Sequence, residues 1–109
     1  MRHSKYTCNN GCPVEATLEV IGGKWKGVIL YHLLERTYRF GELKKIMEGV
    51  TQRMLTKQLR ELEADGLINR KVYAQVPPKV EYSLTESGES LREIVFAMRD
   101  WGRSHFEEQ

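Results

Sequence analysis

The sequence predicts a mainly α-helical domain carrying one small β-hairpin, on three observations. Apolar residues recur at helical spacing over most of the chain, as Leu55, Leu59 and Leu62 do at i, i+4 and i+7. One segment, Val80-Glu-Tyr-Ser-Leu84, alternates apolar and polar residues as a half-buried strand does. Gly and Pro punctuate the junctions at Gly22-Gly23, Gly49, Gly66 and Pro77-Pro78. With 109 residues the chain has room for one domain and a real core, at a size where self-association adds useful stability.

Taken in order, residues 1–11 show no periodicity and are expected to form a mobile arm, leaving residues 12–109 as the folded domain. Pro13 suits the first position of a helix, which places Cys12 at or beside its N-cap. That helix runs to Ile21, with Val14, Leu18 and Ile21 on one side, and Gly22-Gly23 ends it. A second helix from Lys24 to about Glu35 is apolar around much of its circumference, so it is expected to be the central element. His32 lies within it and is read as a packing residue. Arg36–Phe40 is a candidate short strand, and Gly41–Met47 a short helix with Leu43, Ile46 and Met47 inward. Glu48-Gly-Val50 turns into a capped helix from Thr51 to Asp65, closed by Gly66. Helix, tight Gly-containing turn, helix is the pattern of a helix-turn-helix. Leu67–Gln75 and Val80–Leu84 are then two strands around the Val76–Lys79 turn, a wing. Thr85 caps a last helix that runs to about His105, with Leu91, Ile94, Val95, Met98 and Trp101 as its apolar stripe. The expected architecture is a winged helix-turn-helix, mainly α with a small β-hairpin wing, that dimerises through its last helix. The stripe on the last helix exceeds what the core needs, and a monomer exposing it would self-associate.

The net charge of +2 says little about partners, but its distribution says more. Residues 1–50 hold eight Lys/Arg against five Asp/Glu, and residues 51–79 hold six against three, whereas residues 80–109 hold three against seven. The cations therefore gather at the front of the chain, where a polyanion would meet them. On the capped helix, Arg53, Thr56, Lys57 and Arg60 recur on a face separate from the leucine stripe, with Gln52 beside them. Long donors and a small hydroxyl in the first turns of a capped helix match the base edges of a major groove. Gln52, Arg53, Thr56 and Lys57 are accordingly assigned to bases, and Arg60, Arg70, Lys71 and the wing-tip Lys79 to phosphates. The expected partner is double-stranded DNA. An isolated basic stripe is more often a solvated face; the elements flanking this one favour DNA.

Several stretches together resemble the HxlR-type winged helix-turn-helix regulators. They are Cys12-Pro-Val-Glu, Ile21-Gly-Gly-Lys-Trp-Lys26, Arg39-Phe, Gln52-Arg-Met-Leu, Leu59-Arg-Glu-Leu-Glu, Asp65-Gly-Leu-Ile, Val76-Pro-Pro-Lys-Val-Glu-Tyr and Leu84-Thr-Glu-Ser-Gly88. The resemblance spans roughly Cys12 to Trp101. It implies a homodimeric bacterial transcription factor on an inverted-repeat operator, with its first and last helices in the dimer interface. It also implies that some members sense oxidants or electrophiles through the cysteine matching Cys12.

No Gly-rich phosphate loop, nucleophile with a placed base, or paired acids are found, so an enzyme is not expected, nor is a cofactor. His3, Cys8 and Cys12 suggest a metal-responsive regulator as an alternative, although Cys-x3-Cys without a second pair is a weak zinc signal. A winged helix used only for protein contacts is disfavoured by the basic face. No run is long and apolar enough to span a bilayer and no signal peptide is visible, so a cytoplasmic location is expected and a membrane partner is not. Read on its residues alone, Cys12 divides evenly between a reactive thiol at a helix N-terminus and a small packing residue.

Overall fold

The computed structural model describes residues 12–107; the expected arm at 1–11, with His3 and Cys8, lies outside the described residues. The elements are α1 (Pro13–Ile21), α2 (Lys26–Glu35), β1 (Tyr38–Arg39), α3 (Phe40–Ile46), α4 (Gln52–Ala64), β2 (Ile68–Tyr73), β3 (Lys79–Leu84), α5 (Glu86–Glu89) and α6 (Arg92–Gly102). One π-helical turn, Arg103–Glu107, follows α6. Helices therefore dominate, and the strands form one antiparallel sheet in the order β1-β3-β2. Helix α3, a tight turn and α4 form the helix-turn-helix, and the β2–β3 hairpin is the wing.

The core is built outward from α2. Ile29 and Leu30 have no exposed surface, and with Leu33 and Leu34 they meet Leu43 of α3 and Leu55, Leu59 and Leu62 of α4. Each such side chain contributes roughly 1.5–3 kcal/mol of burial, so α3 and α4 are positioned by apolar packing on α2. Local bonds then set the helix ends. The Met47 N–H donates to the Leu43 carbonyl at 3.0 Å and the Val50 N–H to the Met47 carbonyl at 3.2 Å, while Met47 and Val50 are buried. Gly49 completes the turn at φ +89, a conformation that side chains with a Cβ resist. The Thr51 hydroxyl accepts from the Met54 N–H at 3.1 Å and caps α4 as predicted. At the other end the Gly66 N–H reaches the Glu63 carbonyl and the Leu67 N–H the Leu62 carbonyl, each at 3.0 Å. These bonds satisfy the last carbonyls and carry the chain, through buried Leu67, into the wing.

The structure departs from the sequence reading in four places. The strand expected over Arg36–Phe40 is only Tyr38–Arg39, because Glu42 accepts from the Arg39 N–H at 2.9 Å and starts α3 there. Ile46 is exposed, not inward. Helix α2 begins at Lys26, after a turn at Gly23–Trp25. The single C-terminal helix is divided into α5, α6 and the π turn. Its first part is tied to the α4–β2 corner: the Thr85 hydroxyl donates to the Gly66 carbonyl at 2.7 Å and accepts from the Gly88 N–H at 3.0 Å. A Cβ on Gly88 would fall 2.2 Å from the Leu67 carbonyl oxygen, so the close approach requires glycine. The chain re-aims at Leu91 (φ −89, ψ 1), and α6 then lies on α2, with Tyr31 and Phe96 edge to face at 6.1 Å.

Candidate nucleic-acid interface

Helix α4 presents its cations as the spacing predicts. Gln52, Arg53, Lys57 and Arg60 are exposed and Thr56 is half-buried. Together with Glu61 these five line one open concavity. A second groove, between α4 and the sheet, is lined by Gln52, Thr56 and Arg60 on one side and Arg70, Val80 and Tyr82 on the other. The hairpin register explains why Arg70 joins them. Directly opposed residues share a face. Ile68↔Leu84, Arg70↔Tyr82 and Val72↔Val80 therefore look one way, and Lys71↔Glu81 and Tyr73↔Lys79 the other. Of the three wing cations, the fold brings Arg70 to α4 and places Lys71 and Lys79 on the opposite face. Lys79 is also not at the tip, which is formed by residues 74–78; it opens β3. Its Nζ lies 3.4 Å from Glu81 Oε2 and 4.6 Å from the centre of the Tyr73 ring. Glu81 accepts from the Tyr73 hydroxyl at 2.8 Å. That bond, with the Lys79 and Arg39 charges, holds its carboxyl below the usual range.

Two features escaped the sequence reading. Arg39, Lys44 and Lys45 line a shallow basic groove beside α3; the adjacent Lys44-Lys45 pair is its signal in the sequence. Lys26 is 7% exposed and its Nζ lies 2.7 Å from Glu61 Oε1 on α4. The signal was its position three and four residues before Ile29 and Leu30, on the core side of α2.

Cys12 is the N-cap of α1, as expected, and is exposed, with no hydrogen bond from its side chain to the first turn. Of the two lysines that follow α1, Lys26 is held by Glu61, and the Lys24 Nζ lies 4.7 Å from the Trp25 ring centre. Along the apolar stripe, Ile94, Met98 and Trp101 are exposed, together with Val14 and Leu18 of α1, Val28 of α2 and Phe106. Leu91 and Val95 differ: Leu91 packs against the chain's own core and Val95 is 3% exposed within it. Trp101 is stacked on His105 with ring centroids 3.9 Å apart. Two of the three residues in the metal alternative lie outside the described residues. Among the described residues no group of three or more His, Cys, Asp and Glu is placed to hold a metal ion, and no helix is long and apolar enough to cross a membrane.

Comparison with known proteins agrees with this arrangement. Residues 20–109 match the HxlR-like helix-turn-helix family. The uncharacterized HTH-type transcriptional regulator YybR of Bacillus subtilis strain 168 is 60% identical over 100 residues, covering 92% of this chain and 80% of the relative. The redox regulator HypR in its oxidized form superposes with a TM-score of 0.83 at 62% identity, covering 86% of this chain and 97% of HypR. The structure of the HTH-type regulator YtcD gives a TM-score of 0.84 at 60% identity, covering 90% of this chain and all of the other, and the YtcD relative is again from Bacillus subtilis.

Proposed function

The chain belongs to the HxlR-like helix-turn-helix family of DNA-binding transcriptional regulators, and from that premise we propose that it binds an inverted-repeat operator as a homodimer in the cytoplasm, reading bases with the exposed face of α4. The observation that carries this reading is the convergence of Gln52, Arg53, Thr56, Lys57 and Arg60 on one side of a capped helix, with Arg70 facing it across the groove. Gln52, Arg53, Thr56 and Lys57 sit in the first turns, where a helix end enters a major groove. Arg60 and Arg70 hold phosphates on the wing side, and Lys44 and Lys45 hold them on the α3 side, since the first helix of such a motif crosses the backbone. Lys71 and Lys79, on the far face of the hairpin, reach phosphates further along the duplex. A duplex selected from a random pool by the purified protein supplies the operator. Arg53→Ala is then expected to weaken binding by about 1–3 kcal/mol and to relax preference at one base pair. Unchanged affinity and unchanged preference would show that α4 reads through another face.

A second reading, thiol sensing, is favoured by one observation. Cys12 is exposed at the N-terminus of α1, and HypR, to which the chain is similar over most of its length, is a redox regulator. In this reading an oxidant or electrophile reacts with the Cys12 sulfur, and the change passes through α1 to the spacing of the two α4 helices. Titrating DNA binding with diamide tests it on wild type, Cys12→Ser and Cys8→Ser. If Cys12→Ser releases DNA at the same dose as wild type, Cys12 is an ordinary surface residue.

A further inference from the structure

We propose that Lys26 is a positioning residue for DNA binding: by holding the Glu61 carboxylate against α2, it keeps that charge away from the polyanion and off the neighbouring Lys57. The inference rests on the reading of α4 given above. Lysine is almost never as buried as Lys26 without a partner. Its partner is Glu61, 2.7 Å away on α4. Glu61 stands at the margin of the cationic face and lines the same concavity as Gln52, Arg53, Thr56, Lys57 and Arg60. It also follows Lys57 by four residues, the spacing at which opposite charges on a helix meet. An acid at that place opposes DNA binding twice, by direct repulsion of the phosphates and by competing for Lys57. A cation supplied from α2 answers both, because it pairs with the carboxylate from the α2 side and offsets its charge. Relative to apolar residues of similar size, a buried ion pair adds little net stability. The main consequence of this pair therefore falls on where the Glu61 charge is placed.

The prediction is epistatic, and fluorescence anisotropy on the selected operator over a range of salt concentrations tests it. Lys26→Met is expected to bind about tenfold more weakly, with a log–log salt slope flatter by about 0.9, the counterion release of one cation at the DNA withdrawn. Adding Glu61→Gln to Lys26→Met is expected to return affinity to within about threefold of wild type and to restore the slope, because the competing charge is gone. A role in packing alone gives neither the slope change nor the rescue. The proposal is overturned if Lys26→Met binds like wild type, or if the double variant is as weak as the single one. Should Lys26→Met fail to fold by circular dichroism, Lys26→Gln takes its place in the same comparison. Lys26→Arg, which keeps the charge, is expected to bind as wild type does; a loss of about tenfold there would also overturn the proposal. Arg53→Ala is measured in parallel. If it too has no effect, the reading of α4 has failed; if it weakens binding while Lys26→Met does not, only this inference has.

Discussion

His32 shows how burial decides the chemistry of a single residue. It lies on α2 between Tyr31 and Tyr38, with ring centroids at 5.6 and 6.0 Å. Burial pushes its imidazole below the ordinary value of 6.5, and the Glu35 carboxylate, 3.9 Å from Nδ1, opposes that only in part. The neutral ring is thus the form the fold prefers. Since the folded value is depressed, the contribution to stability is complete above the unfolded value and is lost as pH falls through it towards the folded one. Urea unfolding at pH 7.5, 6.5 and 5.5 should show wild type losing more stability over that interval than His32→Gln does. Equal losses in the two proteins would mean that the ring is solvated in the folded state. Glu81 has the same sign by a different cause, the hydrogen bond from the Tyr73 hydroxyl, and its effect falls in the acid range below ordinary carboxylate titration.

At the scale of elements, caps and close approaches matter more than propensity. Helix α5 has only four residues and cannot persist alone. The two Thr85 side-chain bonds and the glycine contact at Leu67 hold it. Thr85→Ala should cost about 1–2 kcal/mol, one cap plus one hydrogen bond. Gly88→Ala should cost about 1–3 kcal/mol, because its methyl group must displace a backbone carbonyl rather than a flexible side chain. A denaturation midpoint for Gly88→Ala equal to that of wild type would mean the corner relaxes freely. This corner also shows what periodicity could and could not convey. Thr85 was legible as a cap, and the stripe from Leu91 to Trp101 was legible as helical. The division between α5 and α6 was not, because it arises from contacts with Gly66 and Leu67, about twenty residues back in the chain. The cationic face of α4 was legible because spacing alone puts Arg53, Thr56, Lys57 and Arg60 together. The separation of Arg70 from Lys71 and Lys79 was not, since it depends on hairpin register. The role of Lys26 was not legible for a related reason: a sequence shows a charge but not the distant charge that buries it.

For the molecule as a whole, several large apolar side chains stay exposed among the described residues once the core is complete. Met98 and Trp101 on α6 are 46% and 58% exposed, and Val14 and Leu18 on α1 and Val28 on α2 are exposed as well. Scattered apolar residues need no explanation, but a set of this size drawn from the first, second and last helices has the character of an association surface. In the proposed homodimer a second copy of the chain is the occupant of this surface. On an inverted repeat, the two α4 helices of that dimer are expected to lie about 34 Å apart, one turn of duplex. Met98 and Val95 lie three residues apart on α6 and separate the two consequences of adding charge there. Val95 is already inside the monomer core, so Val95→Glu buries an unpaired carboxylate and should unfold the chain. Met98→Glu leaves the monomer core intact, and its circular dichroism spectrum should match wild type. In sedimentation, wild type should run at twice the 12.7 kDa chain mass and Met98→Glu at the mass of one chain. On DNA the variant should bind a single half-site about as wild type does, yet lose the gain that wild type draws from a second half-site one turn away. A wild-type protein that sedimented as a monomer while binding the full operator tightly would exclude the dimer. A Met98→Glu protein that remained dimeric would move the interface off this face of α6.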